Sequence, residues 1–183
     1  MIFRLSLVAL CALAGSACGS VVDGEPVAAA GFGPTSTVTS AAGIPTPRTL
    51  AGTDLCALVT AADLTSAGGL AGEARHRTDA VPESCSFPLG GGAVGDLVLV
   101  GFYKPLDQVR KDQPNGQEET TSGHTTWVYC QLSDGYQTCL AAVAVRADRS
   151  LVVAMDKRDT SAERVLTLLQ PITEKVLERL PSE

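Results

Sequence analysis

The stretch CQLSDGYQTC, Cys130 to Cys139, constrains the fold more than any other part of the sequence. Asp134-Gly135 suits a two-residue type I′ turn, which requires positive φ at both central positions. With those two residues at the tip, Ser133 faces Tyr136, Leu132 faces Gln137, Gln131 faces Thr138 and Cys130 faces Cys139. Pairs in such a hairpin alternate outward from a hydrogen-bonded pair beside the turn. The cysteines therefore fall on a non-hydrogen-bonded pair, with Cα atoms about 4.5 Å apart. That separation lies within the range of a disulfide. Four cysteines allow three connectivities, and spacing alone does not choose among them. The turn does, and Cys56–Cys85 follows by elimination. A metal site of four thiolates is not expected, because no C-x-x-C knuckle is present.

The N-terminal residues say where such disulfides would form. Arg4 supplies a positive charge, Leu5 to Leu13 are apolar but for Ser6, and Ala14 to Ala17 are small. Residues 1–17 therefore read as a signal peptide, with an apolar run too short to span a bilayer. LAGSAC, ending at Cys18, resembles the lipobox of bacterial lipoproteins, although Gly15 stands where leucine is more usual. The resemblance implies cleavage before Cys18 and attachment of diacylglycerol to its sulfur. The protein would then sit on the extracytoplasmic face of the cell membrane. Simple secretion, with Cys18 left as a free thiol, is the alternative.

Residues 18–51 are rich in Ala, Gly, Ser, Thr, Val and Pro and lack periodicity. They read as a flexible linker between the anchor and one domain, residues 52–183. The formal charge is −6, and removing the signal peptide takes away one arginine and no acid. Anionic headgroups would repel such a domain, so the acyl chains must hold it. No basic stripe suits nucleic acid.

Within the domain, Leu55 to Leu58 suggest a short helical turn, and Thr60 with Asp63 a capping box opening a short N-terminal helix that Gly68-Gly69 stops. SCSFPL is a strand near an edge, given its Pro88. Asp96 to Tyr103, Thr125 to Leu132, Thr138 to Arg146 and Leu151 to Asp156 read as an antiparallel meander. Lys104 to Gly123 form a charged excursion with one helical turn at Leu106 to Arg110. Thr160 with Glu163 reads as a second capping box, opening a C-terminal helix. Its apolar stripe runs through Val165, Leu169, Ile172, Val176 and Leu180. Pro171 should kink that helix or split it at Gln170. The fold expected is α+β: a β-meander packed against the amphipathic C-terminal helix and a short N-terminal helix, stapled by two disulfides. Because the strands are apolar on both faces, the second face must also be covered, by the N-terminal helix or by a partner or ligand.

The run DLCALVTAADL, then SCSF, a cysteine opening the Val-rich strand CLAAVAV, and a closing helix ending RLP resemble actinobacterial lipoproteins of the domain-of-unknown-function 3558 family. The resemblance spans about Leu50 to Pro181. It implies an exported or lipid-anchored protein and carries over no catalytic residue. Many members hold their last cysteine in the C-terminal helix; this chain has none there and has Cys130 instead.

Catalysis is not expected. His76 and His124 lie in polar loop contexts and read as solvent-exposed, no G-x-S-x-G elbow is present, and Glu118-Glu119 read as a solvated run. No cofactor or metal is implied. The expected function is a non-catalytic binding module for an envelope protein or a small apolar ligand; the alternative is an accessory subunit of a membrane complex. Trp127 and Tyr129 share a strand face and are candidate anchors, with core packing the competing reading. If they are core, the binding surface moves to the loop Lys104 to Ser122 or to a pocket beneath the C-terminal helix.

Overall fold

A computed structural model describes residues 43–183. The expected signal peptide, Cys18 and most of the expected linker lie outside these residues. Seven strands form one antiparallel sheet: β1 (Arg75–Arg77), β2 (Glu83–Pro88), β3 (Leu97–Tyr103), β4 (Gln117–Thr121), β5 (His124–Ser133), β6 (Tyr136–Ala144) and β7 (Ser150–Arg158). Helix α1 (Leu106–Asp112) lies between β3 and β4, and α2 (Ala162–Arg179) closes the chain. Among the described residues no helix is long and apolar enough to cross a membrane.

The sheet order is β1-β2-β3-β7-β6-β5-β4. After β3 the chain forms α1 and reaches the far edge as β4. It then returns strand by strand through β5 and β6, so that β7 lands beside β3. The meander expected from the sequence is therefore real from β4 to β7, but β3 pairs with β7 rather than with its successor. Strand β4 was not expected. Its QEETT sequence is polar because four of its five residues are exposed at the sheet edge, so it carries no apolar alternation.

The hairpin register follows the turn. Cys130 pairs with Cys139 and Ser133 with Tyr136, and Asp134 and Gly135 adopt φ of 52° and 79°. The Cys130–Cys139 disulfide has a Cα separation of 4.1 Å, and Cys56–Cys85 is the second. Loop-closure entropy assigns about 2.5 kcal/mol to the shorter loop and about 3.5 kcal/mol to the longer.

Strand parity sorts the core into two layers. Ala141 and Val143 of β6 and Leu151, Val153 and Met155 of β7 join Val165, Leu169, Ile172 and Val176 of α2 in the main core. Leu55, Leu58, Val59 and Leu64 extend that layer over β2 and β3. On the opposite face Leu106 and Val109 of α1 pack on Ala142, Ala144 and Val152, flanked by Ile44, Tyr103 and Trp127. Helix α1 and residue 44 of the expected linker thus cover part of the second face, while Leu99, Leu140 and Ala154 stay half-buried. The N-terminal segment lies on the α2 side instead, and it forms two 3₁₀ turns, Leu55–Ala57 and Thr65–Ala67, rather than one helix.

Three further expectations change. The composition of residues 43–51 reads as flexible linker, yet Arg48 N–H donates to Val145 O at 3.2 Å, and Thr49 N–H to Pro181 O at 2.8 Å. Backbone pairing overrides a composition that carries no core signal. Helix α2 runs unbroken through Pro171, because the proline is on the exposed side, where water can satisfy the carbonyl that its missing N–H leaves free. The cap of α2 is Ser161, whose Oγ accepts from Arg164 N–H at 3.3 Å, and not Thr160.

Candidate functional site

Helix α2 contacts β6 and β7, which leaves the β4–β5 flank of the same face without a helix above it. The gap is a cleft of about 210 Å³ between α2 and that flank. Val128, Ala141, Leu166 and Leu169 give it apolar walls, Thr121, Thr126 and Thr173 sit among them, and Glu119 and Glu163 stand at the rim. The hydroxyls are already used. Thr126 Oγ1 donates to Thr121 Oγ1 at 2.9 Å, and Thr173 Oγ1 donates to Leu169 O at 2.9 Å. The walls therefore offer van der Waals contact, and charge enters only at the mouth. A wider depression of about 590 Å³ lies by Gly90, Gly92 and Gly95. Its lining mixes the 89–96 loop with the charged side chains of Glu73, Arg75, Arg77 and Asp96 and offers no comparable apolar wall, so we favour the smaller cleft.

Trp127 and Tyr129 lie on the other face of β5, and both are half-buried. The indole Nε1 donates to Gln113 O at 3.0 Å, and the Arg110 guanidinium stacks 5.8 Å from the ring centroid. Gly116 crosses the indole so closely that a Cβ there would lie 2.3 Å from Nε1. Trp127 is thus roofed by α1 and the loop after it. Tyr129 is separate from that roof, its hydroxyl donating to Gln131 Oε1 at 2.6 Å.

The two histidines part company. His76 is exposed on β1, with Nε2 3.7 Å from Asp54. His124 was expected to be exposed, but it is 1 % exposed, and its Nδ1 donates to Ala144 O at 2.7 Å. The reason is that SGHTTW opens a strand, so His124 points inward with Thr126 and Val128. Asp54, Cys56 and His76 bring potential ligand atoms together, but the sulfur of Cys56 is in a disulfide, and the set has no thiolate to offer.

The Glu118-Glu119 pair also divides. Glu118 lies opposite Trp127 and Glu119 opposite Thr126, so the first faces the α1 side and the second the cleft. Glu118 pairs with Arg110. Sequence reading missed this because β4 itself was missed; a period-2 reading of QEETT would have separated the two carboxylates.

A family model described as "Protein of unknown function (DUF3558)" matches residues 13–165. No curated protein matches the chain. A solved structure, of a protein from Bacteroides thetaiotaomicron VPI-5482, is similar at 9% identity and a TM-score of 0.41, over 61% of this chain and 41% of that one. The chain thus spans less than half the length of that protein.

Proposed function

The chain belongs to the DUF3558 family of proteins of unknown function, and from that footing we propose that it is a non-catalytic binding module of the cell envelope. In this reading Cys18 carries a lipid anchor on the extracytoplasmic face of the membrane, and the domain holds a small apolar ligand in the cleft beneath α2. The observation that carries the reading is the cleft itself. It is an apolar recess left open beside α2, on the sheet face that elsewhere packs into the main core. The walls favour binding over reaction, since aliphatic side chains and hydroxyls already bonded within the protein form them and the carboxylates of Glu119 and Glu163 stand at the rim. His124, the nearest histidine in sequence, is committed to Ala144 O.

The test is native mass spectrometry of the protein purified from its own membranes, beside a Leu166→Trp variant. Leu166 lines the cleft and is only half-buried, so the larger ring can fill the recess without displacing the core. The wild type should carry a bound small molecule that the variant loses while retaining its melting temperature. The same adduct on both proteins would remove the cleft as the binding site.

A further inference from the structure

We propose that the cleft selects an aliphatic chain bearing a cationic nitrogen, a small alkylamine-like amphiphile, with Glu119 and Glu163 receiving the nitrogen at the mouth. The inference rests on the reading of the cleft as the binding site and adds the chemistry of its occupant.

The two carboxylates arrive there from different elements and for different reasons. Glu119 is placed by strand parity: it pairs with Thr126 across β4 and β5, on the face opposite Glu118 and Arg110. Glu163 is placed by the helix start. Had Thr160 been the cap, Glu163 would have turned back toward the Thr160 N–H as the third residue of a capping box. With Ser161 as the cap, Glu163 is the second residue of α2 and lines the cleft instead.

Neither carboxylate is neutralised. Among the described residues Glu118 pairs with Arg110 and Glu178 with Lys175, but Glu119 and Glu163 form no ion pair. No lysine or arginine lines the cleft. Two like charges at the rim of an apolar recess attract a cation more strongly than the same pair would on open surface, because the low-dielectric walls screen them less. An anionic ligand such as a fatty acid would bring a third carboxylate to the same mouth, and like-charge contact opposes it. A neutral chain would leave the pair unanswered.

Size narrows the class further. Pockets for drug-sized ligands run from about 300 to 1,000 Å³; at about 210 Å³ this cleft suits a single chain, not fused rings or a partner's helix. A basic side chain of another protein is the competing occupant, and the test distinguishes it.

The full chain is titrated calorimetrically with decylamine and decanoate below their micelle concentrations, with decanol below its solubility limit, and with a Leu-Lys repeat peptide. Decylamine should bind at least tenfold more tightly than decanol, and decanoate most weakly. The Glu119→Gln/Glu163→Gln variant changes two exposed residues, so its melting temperature should hold. It should bind decylamine and decanol alike, with decanol affinity unchanged. Equal affinity for the three probes, or an amine preference that survives the double substitution, overturns the cationic selectivity and leaves the cleft as an apolar site. Binding of the peptide with none of the three small probes overturns the small-ligand reading of the cleft as well.

Discussion

Arg179, in the last turn of α2, meets Asp63 through both of its terminal nitrogens, at 2.6 and 2.9 Å. The Asp63 carboxylate also accepts from Thr60 N–H at 2.7 Å, and Arg179 donates to Leu58 O at 2.7 Å. One ion pair thus ties the closing helix to the turn that follows the first disulfide cysteine.

The Arg179 guanidinium, helped by Thr60, holds the Asp63 carboxyl well below the usual carboxylate range despite the opposing effect of burial. A folded-state value below the unfolded one, near 3.9, means that the stabilisation is present above that pH and is lost as the pH falls through the folded value. Arg179 is one-third exposed in its side chain, so solvent reduces the effect, and Asp63→Asn should cost about 1 kcal/mol at neutral pH. Urea midpoints measured across pH should show wild type and variant apart at pH 7 and converging at strongly acid pH. A gap of the same size throughout would mean that the carboxylate charge is not the source.

Truncating a fully buried large aromatic costs about 3–5 kcal/mol. Trp127 is half-buried, yet its ring meets Arg110 and the close backbone of Gly116, so Trp127→Ala should cost about 2–3 kcal/mol. Trp127→Phe keeps an aromatic ring but loses the hydrogen bond to Gln113 and part of the packed surface, about 1–2 kcal/mol. Thermal melts of both variants check the ordering. If Trp127→Ala melts with the wild type, the indole is not part of the α1 layer.

Cys18→Ser should move the protein from the membrane fraction to the soluble one when it is expressed in a bacterial host with labelled acyl chains, and should abolish the label. Retention of the variant on membranes would end the lipid-anchor reading.

Much of the fold was legible where one residue type has one structural use. Asp134-Gly135 set the hairpin register and, through it, both disulfides. The stripe on α2 announced a helix on a sheet. What escaped were features fixed by tertiary context. β4 is polar because it is an edge, residues 43–51 are ordered by backbone pairing, and His124 is buried by the strand it opens. The cleft was foreseen only as a pocket beneath the helix. Its charged mouth depends on the parity of β4 and on Ser161 displacing Thr160 as the cap, and neither shows in a local motif.

The two margins of the sheet differ in sign. One is β1, with Arg75, His76 and Arg77; the other is β4, with Glu118 and Glu119. Unpaired margins invite a second copy to continue the sheet, and like charges placed opposite each other discourage it. Any twofold-symmetric pairing through a margin sets that margin against itself, acid on acid at β4 and base on base at β1. With Arg77 answered by Asp79 and Glu118 by Arg110, it is Arg75 and Glu119 that set like charge against like in the two symmetric ways of extending the sheet.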